Sequence, residues 1–305
     1  KRWLSFLYGS NSENPTRIAE IAGLQMVAGD AEGAGRSVKR LAKLDPDGVA
    51  TQILSARFEL GTGEVDSALK RLLRLEKSTA DSTDVQELLA DAYWRRGDFS
   101  GFRRHYEGAQ AIEASVPRLR LAATRFWQAG QPELTERVLA DWVAEHPDDR
   151  DMQELYAQAL LGLERKGDAY RVYKELMTGD GPLSYNAYNN VANLADELEP
   201  ELALGFAEQA YNMAPENPAV VDTLAWILVR RGDAAKGLPL LREAYSRASQ
   251  NPSVKYHLAA ALAQLQRNAE SERILSALLA SDAEFADRDA AVQLLSSLSE
   301  SKQDR

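Results

Sequence analysis

Apolar side chains recur at intervals of three and four residues along most of this chain, with polar residues between them. Leu89, Ala90 and Tyr93 show this spacing on one segment, and Tyr106 and Ala109 show it on the next. Such spacing places apolar side chains on one face of an α-helix. Because glycine ends helices in a left-handed conformation, a glycine followed by a polar residue marks the turns between segments. These turns are Gly29-Asp30, Gly63-Glu64, Gly97-Asp98, Gly130-Gln131 and Gly232-Asp233.

Small side chains recur within this pattern at almost constant distances. A first column, with members 33 to 35 residues apart, consists of Ala22, Ala56, Ala90, Ala123, Ala157, Ala192, Ala225 and Ala259. A second column follows the first by eleven or twelve residues and consists of Ala34, Ala68, Phe102, Thr135, Ala169, Ala203, Gly237 and Ser271. Antiparallel helices cross closely only where side chains are small, so each pair of positions predicts one helical hairpin. A period near 34 residues is typical of helical repeat arrays.

The period divides the chain into eight predicted repeats. They are 15–48, 49–82, 83–115, 116–149, 150–184, 185–217, 218–251 and 252–285. Residues 286–299 are amphipathic and are predicted to form a helix that caps the last repeat. We interpret residues 1–14 as a remnant or N-terminal capping helix and residues 300–305 as a disordered tail. The predicted fold is therefore all-α, a right-handed superhelical solenoid in which each hairpin contacts its neighbours.

Composition supports a helical array and argues against nucleic acid as a class of partner. The chain is 45% hydrophobic and 27% charged, with a net charge of −10. This acidity argues against nucleic acid, since a phosphate backbone requires a basic surface. No apolar run is long enough to span a membrane, so we predict no transmembrane segment. The chain begins with Lys1 rather than Met, so we expect it to belong to a longer protein, which leaves a signal peptide or lipid anchor open.

The residues that usually carry chemistry do not form a recognisable site. Cysteine is absent, which excludes thiol nucleophiles, disulfides and thiolate metal sites and suits either the cytosol or an oxidising periplasm. The three histidines, His105, His146 and His257, belong to three different predicted repeats, so a shared metal site is not expected. No motif for a serine nucleophile accompanies them. We therefore predict a protein that is not an enzyme and that has no metal and no cofactor.

A solenoid of hairpins offers a binding surface instead, because the first helix of each hairpin lines the concave face. We predict that one set of polar and aromatic side chains points into this groove and binds a protein or peptide partner. The set is Asp84, Glu87, Asp91, Trp94, Arg120, Thr124, Trp127, Glu154, Gln158, Asn186, Asn189, Asn193, Asp222, Trp226 and Tyr256. The three asparagines either pin a peptide backbone or cap the helix locally. The tryptophans either anchor a partner or pack between helices, and packing is favoured for Trp226.

The hairpins resemble tetratricopeptide repeats over residues 15–285. The departures are Phe102 and Thr135 at positions that usually hold alanine, and Glu164, Glu199 and Gln266 at the usual turn glycine. Some members of this family grip the acidic C-termini of chaperones with a lysine and an asparagine on one first helix. The matching surface here carries Asp84, Glu87 and Asp91, which disfavours that function.

A narrower resemblance covers the last third of the chain. The segments that carry it are 189–192, 207–211, 214–220, 222–233 and 256–259, and the most distinctive part is Asp222-Thr223-Leu224-Ala225-Trp226. These segments are similar to the C-terminal repeats of bacterial tetratricopeptide lipoproteins of PEP-CTERM/exosortase and exopolysaccharide-export systems. The resemblance implies a periplasmic, lipid-anchored scaffold that assembles components of a polysaccharide-export or protein-sorting complex. Two alternatives are a substrate-presenting module of a larger enzyme, such as a glycosyltransferase, and a direct polysaccharide binder that uses Trp94 and Trp127.

Overall fold

The computed structural model describes residues 13–281 and 283–303, with side chains described as far as Glu300. These residues form seventeen α-helices and no strand, so the predicted all-α repeat fold is confirmed. The helices are α1 Pro15–Val27, α2 Ala31–Leu44, α3 Val49–Thr62, α4 Val65–Glu76, α5 Thr83–Arg96, α6 Phe99–Ile112, α7 Val116–Gln128, α8 Pro132–Glu145, α9 Arg150–Gly162, α10 Lys166–Thr178, α11 Tyr185–Leu198, α12 Pro200–Met213, α13 Pro218–Arg230, α14 Ala234–Arg247, α15 Pro252–Gln264, α16 Asn268–Leu279 and α17 Arg288–Gln303. Most of the helix predicted at 1–14 lies outside the described residues.

The chain divides into two compact units, Lys1–Leu139 and Ala140–Arg305. Unit 1 contains α1 to α7 and the first part of α8, and Ala56, Leu72 and Leu89 belong to its buried core. Unit 2 contains the rest of α8 and α9 to α17, and Tyr173 and Val191 lie in its largest apolar cluster. In both units the odd-numbered helix of a hairpin packs on the even-numbered helix that follows it and on neighbouring odd-numbered helices.

The alanine column lies where neighbouring helices cross. Each of its eight members is at most 6% exposed. In the second column, a Cβ added to Gly237 would lie 2.8 Å from the carbonyl oxygen of Ala225. The two polar members bond across the same crossing, because Thr135 Oγ1 donates to the Ala123 carbonyl and Ser271 Oγ donates to the Ala259 carbonyl. A small side chain at this point lets the helices touch, and a hydroxyl adds a hydrogen bond.

The turns within the hairpins use a left-handed residue after the first helix. Gly63, Gly97 and Gly232 have positive φ at this position. Glu164 and Gln266 take its place in two repeats with φ of 59° and 60°, although they carry side chains. Glu199, which we grouped with them, is different, because its φ of −142° is extended and Pro200 begins the next helix directly.

Helix α17 packs on α16 at the end of the described chain. Leu275, Leu278, Ala291 and Leu298 form a shared apolar cluster there. The helix begins two residues later than the predicted segment 286–299 and continues to Gln303, so part of the predicted tail 300–305 is helical. None of the helices formed by the described residues has both the length and the apolar character needed to cross a membrane.

Candidate functional site

A groove of 540 Å³ opens in unit 1, between the first helices of consecutive hairpins. It is lined by helices α3, α5 and α7 and by the second helix α6. The lining residues are Arg57, Leu60, Gly61, Glu87, Leu88, Ala90, Asp91, Arg95, Phe102, Tyr106, Ala109, Ser115, Pro117, Arg118, Leu121, Ala122 and Arg125. The surface thus combines aromatic and aliphatic side chains with charged groups of both signs, as ligand-binding grooves commonly do.

The groove opens where the column of small residues is interrupted. Gly101, one position before Phe102, provides the close approach in this hairpin, because a Cβ there would meet the Tyr93 ring at 2.3 Å. Phe102 instead extends between α5 and α7, with its ring centroid 5.6 Å from that of Trp94 and 5.1 Å from that of Phe126. The Phe102 ring, which is 2% exposed, thus fills the crossing of these helices beside the groove.

Two ion pairs hold α7 against α5 beside this groove. Arg125 Nη2 donates to Asp91 at 2.7 Å, and its guanidinium lies 5.3 Å from the Trp94 ring centroid and 5.4 Å from that of Phe102. Arg118 donates to Glu87 at 2.6 Å. Both arginine side chains are largely buried, whereas Glu87 is 45% exposed and Asp91 24% exposed, so salt screens the Arg125–Asp91 pair less than the Arg118–Glu87 pair. These pairs fix the position of α7.

Two further arginines are accessible at the rim. Arg57 Nη2 donates to Asp84 at 2.6 Å, and Arg95 donates through Nε to Asp91 and through Nη1 to the Leu60 carbonyl. Both side chains are 45% exposed. Since a guanidinium has five N–H donors, these contacts leave donors on each that face solvent.

The predicted groove residues of unit 1 fall into two sets. Glu87 and Asp91 line the groove and Asp84 pairs with its rim, whereas Trp94 packs against Phe99 and Phe102 and is covered by Arg125. The other set lies on α7 outside the groove lining and comprises Arg120, Thr124 and Trp127. Thr124 Oγ1 donates to the Arg120 carbonyl within the helix, and Trp127 is 45% exposed.

The predicted residues on α9 and α11 in unit 2 mostly serve local structure. Glu154 accepts hydrogen bonds from the backbone N–H and the hydroxyl of Ser184, which begins α11. Asn193 Nδ2 donates to Thr223 Oγ1 at 3.4 Å. Asn189 differs, since its Oδ1 atom is buried and has no hydrogen-bond partner. Three members, Gln158, Asn186 and Asn193, are exposed.

The predicted residues on α13 and α15 lie in the interior of unit 2. Asp222 and Tyr256 are both 8% exposed, so the expectation that they point into an open groove is wrong. Asp222 accepts from His257 Nδ1 at 2.9 Å, and the Trp226 ring stacks on His257 with a centroid distance of 4.2 Å. These side chains are close to the start of α17, because Asp287 lies 3.8 Å from His257 Nε2. Packing between repeats, which we favoured for Trp226, is what the structure shows.

The electrostatics of this cluster favour a charged histidine. Burial disfavours the imidazolium, but the carboxylates of Asp222 and Asp287 outweigh it and raise the pKa of His257 above its ordinary value. The imidazole in turn lowers the pKa of Asp287. The cluster therefore ties α13, α15 and the segment before α17 together.

Residues that the pattern did not identify make up much of the groove. They are Arg57, Arg95, Arg118, Arg125, Tyr106, Leu88 and Leu121. The replacement of a small residue by Phe102 was the signal that marked this hairpin as different. Sequence pattern alone did not show which side chains would surround the resulting space. Among the described residues, no group of three or more histidine, aspartate or glutamate side chains is placed to hold a metal ion.

Comparisons with known proteins support the repeat fold. The family described as tetratricopeptide repeat matches residues 26–92 and 228–298, so the expectation that the chain contains repeats of this kind is confirmed. No curated protein matches the sequence, and the resemblance to the PEP-CTERM and exopolysaccharide-export lipoproteins is not confirmed.

Two solved structures are similar in fold. One is the APC/C hetero-tetramer Cut9-Hcn1, with a TM-score of 0.54 and 12% identity over 97% of this chain and 58% of that one. The other is Naa15/Naa10 bound to HypK-THB, with a TM-score of 0.53 and 14% identity over 94% of this chain and 51% of that one. This chain thus spans little more than half the length of either. At such identities the likeness shows the fold alone.

Proposed function

We propose that this chain, which contains tetratricopeptide repeats, is a non-enzymatic scaffold that binds protein partners on the exposed faces of its first helices. Proteins built from these repeats generally act as protein-interaction scaffolds. The observation that carries the proposal is the groove of unit 1, where the exposed side chain of Leu121 lies beside charged groups at the surface. Peptides bind to grooves of this kind by placing apolar side chains in the groove while polar groups fix their orientation.

The charged groups of the groove suit binding of a partner protein, because ion pairs hold them in place. Glu87 and Asp91 are neutralised by Arg118 and Arg125, which hold their carboxylates in fixed positions. A preformed surface loses little conformational entropy when a partner binds, so more of the contact energy appears as affinity. The groove therefore supports binding without a rearrangement of the helices.

Direct binding of polysaccharide has less support. It requires two aromatic platforms, Trp94 and Trp127, but Arg125 and Phe102 cover much of Trp94. Trp127 remains exposed and does not line the groove. Replacing both tryptophans with alanine is expected to leave affinity for glycans unchanged. The second alternative, a substrate-presenting module of a larger enzyme, requires a catalytic domain in the full open reading frame, which sequencing of the gene reveals.

The cellular setting we propose is a bacterial exopolysaccharide-export or PEP-CTERM protein-sorting system, with the protein anchored by a lipid in the periplasm. Support comes from the segment Asp222-Thr223-Leu224-Ala225-Trp226 and its neighbours in the last third of the chain. The neighbouring genes test this proposal, because exosortase or glycan-export genes are expected beside the parent gene. Recovery of the protein from the cytosol after cell fractionation would contradict the periplasmic location.

A selection experiment tests the scaffold function. A library of random peptides displayed on phage is panned against the full chain, with an unrelated helical protein of similar charge as the control. We expect enrichment of peptides that bind this chain and that compete with one another for one surface. If no peptide is enriched above the control, the proposed function is wrong.

A further inference from the structure

We propose that His257 is a proton-dependent latch for α17, the last helix of the chain. With its imidazole protonated, His257 holds carboxylates on two separate elements, and α17 stays packed. When the ring loses that proton, its contact with the segment before α17 is lost, and the helix opens more often. This inference goes beyond the scaffold function, because no partner takes part in the change.

The imidazole of His257 lies between carboxylates from two different elements. On one side, Asp222 of α13 accepts a hydrogen bond from Nδ1 at 2.9 Å. On the other side, Asp287, the residue before α17, lies 3.8 Å from Nε2, which is the distance of an ion pair and too long for a hydrogen bond. The His257 side chain is 10% exposed, so water has little access to the ring. The ring thus connects α13 and α15 to the start of α17.

Only the charged ring attracts both carboxylates. The imidazolium carries an N–H on each nitrogen, whereas the neutral ring has one N–H and one nitrogen with a lone pair. Because Asp222 is the closer partner, the neutral ring keeps its N–H on Nδ1 and directs the lone pair of Nε2 towards Asp287. Repulsion replaces attraction on that side, so the contact with Asp287 is the one that loss of the proton breaks.

The surroundings of the ring set the direction of the change. Among the described residues, the other charged or titratable groups that act on this cluster are Arg230 on α13 and Tyr256 on α15. Burial lowers the pKa of His257, but the two carboxylates outweigh it and raise the pKa above its ordinary value. The latch is therefore closed below the unfolded pKa of about 6.5 and opens as pH rises through the raised pKa of the folded state.

Asp287 acts on α17 because it is the residue from which the helix begins. Its carbonyl accepts a hydrogen bond from the N–H of Ala291, one turn into the helix. Ala291 is 0% exposed and belongs to the same apolar cluster as Leu275 and Leu278 of α16. Local opening is easiest where a helix has few neighbours, and α17 packs only on α15 and α16 among the described helices. Opening of α17 would expose the side chains of Leu275 and Leu278.

Thiol labelling measures this opening, since the chain has no cysteine of its own. Ala291→Cys places a thiol on the covered face of α17, and Leu298→Cys, at a position 7% exposed, is a second reporter on the same helix. The matched control is Ala207→Cys in α12, where the alanine is 1% exposed. At each pH, the rate of reaction of the folded chain with iodoacetamide is divided by the rate for the same chain unfolded in urea. This ratio removes the pH dependence of the thiol itself.

We expect the normalised rate at Ala291→Cys to rise about fivefold when the partly exposed Asp287 loses its ion pair. The rate at Ala207→Cys is expected to stay nearly constant. Added to Ala291→Cys, His257→Gln removes the titrating group, so the rate should be high and independent of pH. Asp287→Asn is the sharper variant, because an amide can donate to the neutral ring and accept from the charged one. It should keep α17 closed over the whole pH range.

Three results would overturn the latch. The first is a rate at Ala291→Cys that does not rise with pH, or that rises equally after His257→Gln. The second is a rise that Asp287→Asn leaves unchanged, since the effect would then not pass through the contact with α17. The third is an equal rise at Ala207→Cys, which would show a general loosening of unit 2. If Ala291→Cys does not fold, Leu298→Cys provides the same comparisons.

Discussion

Single atoms at the helix crossings decide how closely the hairpins pack. Gly237 shows this most directly, because an added Cβ would lie 2.7 Å from Val229 Cγ2 and 2.8 Å from the Ala225 carbonyl oxygen. The carbonyl belongs to the backbone of α13 and cannot move without shifting the helix. A glycine elsewhere in a helix, such as Gly205 in α12, has no neighbouring atom within 4 Å of the added position. Replacing glycine with alanine is therefore expected to have opposite effects on stability at the two sites.

We predict that Gly237→Ala destabilises the protein and that Gly205→Ala stabilises it. At Gly237 the clash with the backbone is expected to cost about 1–3 kcal/mol of the free energy of unfolding. At Gly205 alanine removes the entropic cost of glycine in a helix, a gain of about 0.5–1 kcal/mol. Thermal unfolding followed by circular dichroism measures both changes. The opposite signs make the pair informative, since a gain in stability at Gly237 would show that the helices cross less closely there than described.

The left-handed turn residues give a second prediction. Glu164 and Gln266 have positive φ, a conformation that costs roughly 1–2 kcal/mol for a residue with a Cβ. Glycine removes this cost in the folded state, but its greater flexibility in the unfolded state offsets part of the gain. Glu164→Gly and Gln266→Gly should therefore each stabilise the protein by up to about 1 kcal/mol. Glu199→Gly is the control, because φ is −142° there and glycine is expected to destabilise. Denaturant unfolding curves of the three variants test the difference, and a gain at Glu199 would refute the explanation.

The sequence predicted some residues correctly and others not, for reasons that lie in packing. Ala225 and Ala259 are buried at helix crossings, as their spacing indicated. Phe102 was recognised as a departure, but its consequence was not predictable, since Gly101 takes over the close approach only in three dimensions. Asp222 and Tyr256 have the helical position of groove residues, yet the neighbouring His257 and Asp287 enclose them. Periodicity fixes which way a side chain points and does not reveal what covers it.

At the scale of the elements, two buried histidines each contact a neighbouring helix, and their pKa values are shifted in opposite directions. His257 on α15 lies between Asp222 and Asp287, with Trp226 stacked on the ring, and Arg230 of α13 lies near enough to Asp287 to lower its pKa. The pKa of His257 is raised above that of an unfolded histidine by the carboxylates, against the effect of burial. Its contribution to stability is therefore present in full below the unfolded pKa of about 6.5 and is lost as pH rises through the folded pKa.

His105 on α6 behaves in the opposite way. Its Nδ1 is 2.7 Å from Gln86 Oε1, and the ring stacks on Tyr93. Burial lowers the pKa of His105, although Glu76 opposes the shift and Arg104 adds to it. The neutral ring is therefore preferred in the folded state. Its contribution is complete above the unfolded pKa and is lost as pH falls through the lower folded pKa.

These opposite shifts predict a pH dependence that differs between the two units. As pH rises above neutrality, α17 and α15 should open more often, and as pH falls towards 5, α6 should open more often. Hydrogen exchange of the full chain, analysed by mass spectrometry of its peptic fragments, resolves the two regions after correction for the intrinsic pH dependence of exchange. His257→Gln should remove the first effect alone and His105→Gln the second alone. Identical pH profiles for both regions would contradict the assignment.

At the scale of the whole chain, each unit is a series of hairpins stabilised by neighbouring helices. In unit 2, for example, α13 packs on α11, α14 and α15. In such arrays a local change is felt mainly by adjacent repeats. The period of small residues therefore predicted the helical hairpins well, because the same contact is made again in each repeat. The groove of unit 1 lies at the exception, Phe102, and its lining includes four arginines that periodicity does not mark.

The central claim is that the chain is a scaffold whose groove in unit 1 binds a peptide of a partner protein. A crystal structure of the full chain with a peptide enriched in the phage selection tests it most directly. The account predicts a peptide that lies in the groove lined by α3, α5 and α7, in contact with Leu88 and Leu121. A peptide bound elsewhere on the chain would contradict it.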